Sequence, residues 1–220
     1  MNPILRVSGL TKSFGAPDAP VIRDVELTIM PGEKASLIGP SGCGKSTLLS
    51  LIAGLLRPDR GTIEIDGVPM SDLDEAGRAR LRAERIGIAL QSDNLVPFLS
   101  ATENVQLALA FGPRTSRREA RRRAQQLLEQ FGVAHRADHL PRHMSGGEAQ
   151  RVALAVALAA EPALLLADEV VASLDGETAG HVIEEVLTGK FAVLFVAHQR
   201  PLADLVDHRY ELADHSVARR

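Results

Sequence analysis

The stretch GPSGCGKST at 39–47 combines three glycines, a lysine and three hydroxyl side chains at a spacing suited to phosphate chemistry. It fits G-x-x-x-x-G-K-[ST] through Gly39, Gly44, Lys45 and Ser46, and it sits between an apolar strand-like run and an apolar helical one. A loop made of Gly39, Pro40, Ser41, Gly42, Cys43 and Gly44 wraps so that successive backbone N–H groups point at phosphate oxygens. Lys45 then places a point charge on the β- and γ-phosphates, Ser46 offers a hydroxyl to Mg²⁺, and Thr47 reaches the α-phosphate. The chemistry is nucleoside triphosphate binding, and the motif alone does not separate one class of NTPase from another.

Three more polar residues stand where apolar runs end. ALLLADE (163–169) reads as a buried strand ending in Asp168, at the sheet edge where parallel α/β folds bind ligands. A carboxylate there holds Mg²⁺, usually through water, and Glu169 next to it is placed to polarise the water that attacks the γ-phosphate. The plainer reading of the pair is an acidic cap on the next turn. VLFVAHQ (193–199) ends in His198, whose neutral imidazole would bond the γ-phosphate and hold Glu169 and water in place. IGIALQSDNL (86–95) releases Gln91, which would touch Mg²⁺ or the water. It is equally a polar residue leaving a strand.

PRHMSGGEAQR (141–151) opens a helix with Ser145, Gly146 and Gly147. A glycine costs up to about 1 kcal/mol against alanine inside a helix. Bare backbone at a helix start has one plain use, which is to let free N–H groups and the positive dipole end touch an anion. Ser145 and Glu148 also fit S-x-x-E, a capping box that satisfies the chain's own helix.

The elements that must position these residues alternate. ILRVSGL, VIRDVELTI, KASLIG and GTIEIDG are β-rich runs bounded by turn residues, and helical spacing follows at 44–56. EAGRARLRAERIGIAL reads as a polar helix running into a strand. From about 92 to 145 the chain is rich in Arg, Gln and Ala with helical spacing, which predicts an inserted helical subdomain. A helix from 147 to about 160, the strand ALLLAD, a helix near 177–188, the strand FAVLFVAH and a short tail complete the chain. The expected fold is α/β. It has a mostly parallel sheet, an antiparallel β subdomain in the N-terminal part, and a core of about 1–91 and 146–220 around the helical insertion.

Composition narrows the class. A net charge of −3 argues against a nucleic-acid binder, and an aromatic content of 3% with no Trp argues against a base-stacking surface. One cysteine, Cys43, excludes an internal disulfide and suits a reducing compartment. No secretory leader is expected at the N-terminus, and the longest apolar run, VALAVALAA (152–160), is far short of a bilayer span. Any membrane role would need a partner. The RREARRR run (117–123) is read as a solvated helix face.

In this order the motifs resemble the ATP-binding cassette ATPases nearly end to end. They are Phe14 in TKSFG, the phosphate loop, Gln91, the signature MSGGE, LLLADE, the SLD of Ser173, Leu174 and Asp175, and His198. The resemblance implies a P-loop NTPase core and a head-to-tail homodimer that sandwiches two Mg-ATP. Ser145, Gly146 and Gly147 would contact the γ-phosphate held by the other copy, Phe14 would stack on adenine, and Asp175 would act across the dimer. It also implies ATP hydrolysis coupled to an integral membrane permease, with the cassette peripheral on the cytoplasmic face and the helical insertion docked on that permease.

LDEAGRARLRAERIGIALQSDNLVPFLSATENV, together with Glu148 where Gln is commoner, is similar to the branch for lipoprotein release and macrolide export. Val170, Val171 and Ala172 depart from the usual DEPTGNLD, Met144 replaces Leu, and Val156 stands where Arg is usual. Repair cassettes carry a long coiled-coil insertion and translation cassettes are doubled, and neither feature is found here. A cassette that signals through a membrane partner without moving cargo stays open.

Overall fold

Side chains that alternate between two buried faces explain the layering. In Leu164–Asp168, Leu164 and Leu166 pack into one apolar cluster while Leu165 and Ala167 pack into another. In Ala192–Val196, Leu194 and Val196 face the first cluster while Val193 and Phe195 face the second. Successive side chains of a strand point to opposite faces, so a strand that is apolar throughout must be covered on both. Each fully buried leucine contributes about 1.5–3 kcal/mol.

The computed structural model describes residues 2–15, 19–89, 95–111, 116–168, 176–196 and 206–219, without the side chains of 176–179 and 181. Its strands are β1 (Leu5–Ser13), β2 (Pro20–Ile29), β3 (Lys34–Ile38), β4 (Arg60–Ile65), β5 (Val68–Pro69), β6 (Ile86–Ala89), β7 (Leu164–Asp168), β8 (Ala192–Val196), β9 (His208–Ala213) and β10 (Ser216–Arg219). Its helices are α1 (Lys45–Ile52), α2 (Glu75–Arg85), α3 (Ala101–Ala110), α4 (Arg117–Gln130), α5 (Gly146–Leu158) and α6 (Gly176–Thr188).

An antiparallel sheet has the order β2-β1-β4-β5, and a second sheet has the order β10-β9-β3-β8-β7-β6. Within the second, β6, β7, β8, β3 and β9 run parallel and β10 is antiparallel to β9. One core cluster joins α1 and the antiparallel sheet to one face of the parallel sheet, and the other joins α3, α4, α5 and α6 to the opposite face. This is the expected α/β class, with the antiparallel sheet formed by N-terminal strands and α3 and α4 inserted between β6 and α5.

The tail after β8 differs from the sequence expectation. It forms β9, which lies beside β3, and then the hairpin to β10. The hairpin turns at Asp214 and His215, both with positive φ (47° and 67°). Two-residue hairpin turns with positive φ at both positions usually carry Asn-Gly or Asp-Gly. Here no glycine marks the turn, so the strand signal goes unannounced.

Candidate functional site

The phosphate loop leaves the carboxyl end of β3 at Ile38 and enters α1 at Lys45. Two of its glycines are demanded by the fold itself. A Cβ on Gly39 would lie 2.3 Å from the Leu212 carbonyl oxygen of β9. Gly44, the α1 N-cap, has φ +105°, and its Cβ would lie 2.9 Å from Val21 Cγ1. Neither position admits an L side chain without displacing its neighbours. The first turn of α1 has no side-chain cap and no acidic residue, so its N–H groups and positive dipole end remain for an anion. Lys45 is buried, and its Nζ donates to the carbonyls of Gly39 and Pro40, at 2.8 Å each. Cys43 Sγ lies 3.9 Å from the same ammonium.

Across the loop, β7 ends at Asp168, which is buried at the same sheet edge. Ser46 Oγ donates to Asp168 Oδ2 at 3.2 Å, although 122 residues separate the two in sequence. A hydroxyl and a carboxylate are hard oxygen donors of the kind Mg²⁺ takes alongside water and nucleotide phosphates. The donor set therefore fits such an ion.

The helix start at Ser145 carries a reciprocal capping box within the chain. Ser145 Oγ accepts from the Glu148 N–H at 3.3 Å, and Glu148 Oε2 accepts from the Ser145 N–H at 2.8 Å. Glu148 Oε1 accepts from Arg136 Nε at 2.8 Å and contacts His135 Nε2 at 3.1 Å. These donors, the Arg136 guanidinium foremost, hold the Glu148 carboxyl far below the usual carboxylate range. Gly146 presents the opposite case from Gly39 and Gly44. Its φ is not positive, and an added Cβ would meet nothing within 4 Å.

Comparisons with known proteins place this geometry. The profile of the family described as ABC transporter matches residues 22–172. The chain belongs to the ABC transporter family. It is 42% identical over 224 residues to lipoprotein-releasing system ATP-binding protein LolD 1 of Rhodopirellula baltica, covering 99% of this chain and 97% of that one. It is 40% identical over 222 residues to LolD of Pseudomonas fluorescens, covering 98% and 97%. Among solved structures, a dimeric post-hydrolysis state of the ATP-binding cassette MJ0796 bound to ADP and Pi matches with a TM-score of 0.91. That match has 33% identity and covers 98% of this chain and 97% of that one.

This ABC chain is thus an ATP-binding, ATP-hydrolysing cassette. Its Phe14 follows β1 and is 56% exposed, and Lys12 Nζ lies 5.7 Å from the ring centroid. Gln91, Glu169, Asp175 and His198 lie outside the described residues, as do Val170, Val171, Ala172, Ser173 and Leu174. The strands that precede three of them, β6, β7 and β8, are neighbouring parallel strands and end at Ala89, Asp168 and Val196.

Two features of the cassette escaped the sequence. Arg136 and His135 clamp Glu148 from a 3₁₀ turn (Ala134–Arg136), and no motif announces them. A groove of about 790 Å³ runs between α2, β6, α3 and α5. Its lining includes Ile88, Leu107, Phe111 and Val156, and Phe111 is largely exposed. Among the described residues no helix is long and apolar enough to cross a membrane.

Proposed function

We propose that the cassette dimerises head to tail around two Mg-ATP and drives a membrane permease of the export or lipoprotein-release type. Its seat would be the cytoplasmic face of the membrane. The LolD relatives, by name parts of lipoprotein-releasing systems, support that branch, and the dimeric, ADP- and Pi-bound cassette supports the dimer. The observation that carries the reading is Gly146, a glycine at a helix start that its own chain does not require. Open backbone there suits a phosphate delivered by another copy.

In this mechanism Lys45 leaves the Gly39 and Pro40 carbonyls for the β- and γ-phosphates. Ser46, Gln91 and Asp168 would hold Mg²⁺, which would neutralise charge on the phosphates. Gly39 to Gly44 and Thr47 cradle the phosphates, and Phe14 stacks on adenine. Glu169 takes the proton of the attacking water as the new bond to the γ-phosphorus forms and the bond to the β-phosphate oxygen breaks. His198 holds that water and the γ-phosphate. Ser145, Gly146 and Gly147 close the site from the second copy, and Asp175 acts across the dimer. The helical subdomain, about 92–145, docks on the permease through the apolar groove, whose lining includes Val156 in place of the usual arginine.

The test is turnover. Glu169→Gln binds ATP and hydrolyses it at under about 1% of the parent rate, the size of loss typical for a general base. Hydrolysis at the parent rate overturns the assignment.

A further inference from the structure

The Glu148 carboxylate poses an electrostatic problem for the shared site. It sits in the first turn of α5, three residues from Ser145, and its side chain is only 12% exposed. A carboxylate there steadies the helix it caps, but it also occupies the positive end of the dipole that an incoming phosphate would use. Two anions close together in a site shielded from water repel strongly. A glutamine would cap the same helix without the charge. A glutamate therefore needs a cation fixed beside it.

Arg136 supplies that cation in a fixed place. Its Nε donates to Glu148 Oε1 at 2.8 Å, on the side of the carboxylate away from the Ser145 bond. The turn that carries it is anchored to the start of α3. Thr102 N–H and Thr102 Oγ1 both donate to the Ala137 carbonyl, at 3.0 and 2.9 Å, and Ala101 N–H donates to the His139 carbonyl at 3.0 Å. His135, more than half exposed, adds a contact to the same oxygen.

We propose that Arg136 is a positioning residue for ATP-driven dimerisation: it neutralises Glu148 so that the start of α5 accepts the γ-phosphate held by a second copy. The proposal rests on the shared-site reading above. It makes the requirement for an arginine at 136 conditional on a glutamate at 148.

The experiment uses the full chain carrying Glu169→Gln, and the ATP needed for half-dimerisation is read by light scattering after size exclusion. Adding Arg136→Met raises that concentration by about tenfold or more, as expected for an uncompensated like charge at an interface. Binding of a fluorescent ATP analogue to the monomer stays unchanged. Adding Glu148→Gln to Arg136→Met restores dimerisation to within about threefold of the parent, because the coupled charge is gone. Should Arg136→Met fold poorly, Arg136→Gln in the same two backgrounds gives the same comparison.

Dimerisation of Arg136→Met at the parent's ATP concentration overturns the proposal. A double variant no better than the single one overturns it too, since packing rather than charge would then be the role. If the Glu169→Gln parent stays monomeric at saturating Mg-ATP, the shared-site reading falls and this proposal falls with it. If the parent dimerises and position 136 is indifferent, only the proposal falls.

Discussion

The cassette has two glycine-bearing stretches at helix starts, and their glycines are there for different reasons. At Gly39 and Gly44 a side chain would strike the chain's own Leu212 carbonyl or Val21, so folding alone demands glycine. At Gly146 a side chain would strike nothing. The helix starts differ as well. That of α1 has no side-chain cap, whereas that of α5 is closed by a reciprocal Ser145–Glu148 box. The first stretch is shaped by its own protein to receive phosphate. The second is complete as a folding unit yet keeps a bare residue that the fold does not use. That difference points to a surface answering to something outside the monomer.

Substitutions can break this contrast. The largest effect is expected from Gly44→Ala, which forces an L residue into a left-handed conformation against Val21. Strain of this kind costs about 1–3 kcal/mol, and ATP binding is lost with the loop's shape. Thermal unfolding and nucleotide titration read both.

Gly146→Ala does the reverse. The monomer melts no lower than the parent and gains up to about 1 kcal/mol, while ATP-driven dimerisation falls. If Gly146→Ala destabilises the monomer as Gly44→Ala does, the contrast is wrong.

Lys45→Ala separates the stretches in another way. It removes nucleotide binding while the Ser145–Glu148 box, remote in sequence, stays formed, as amide exchange at the start of α5 would report.

Alkylation of Cys43, 3.9 Å from Lys45 Nζ, blocks turnover, and bound ATP slows the modification. Equal labelling rates with and without ATP would remove Cys43 from the phosphate loop's working surface.

The smallest effect concerns acid. The native Glu148 carboxyl titrates well below its ordinary value of 4.5. Its contribution to stability is therefore full above about pH 4.5 and is lost as pH falls toward the lower native value. Glu148→Gln flattens the stability profile below pH 4.5, and an unchanged acid limb would deny the carboxylate that role.

Sequence showed what is local. The phosphate loop, the strand ending in Asp168 and the S-x-x-E box are each contained in a few consecutive residues, so type and spacing expose them. It hid what is assembled from a distance. The reason for Gly39 is the carbonyl of Leu212, which belongs to a strand the sequence left as a tail because its hairpin turns on Asp214 and His215 without a glycine. The approach of Ser46 to Asp168 was expected from the chemistry of each, but the 3.2 Å contact is a product of β3 and β7 ending at one edge. Arg136 left no trace in the sequence, since an arginine before a loop in an arginine-rich segment is unremarkable until Glu148 is placed against it.

The central claim is that each nucleotide site is built from two copies, the phosphate loop of one and the start of α5 of the other. Sedimentation of the Glu169→Gln variant with saturating Mg-ATP tests it most directly. The account predicts a dimer that reverts to monomer when ATP is removed. A monomer under saturating Mg-ATP, with the permease partner also supplied, would contradict it.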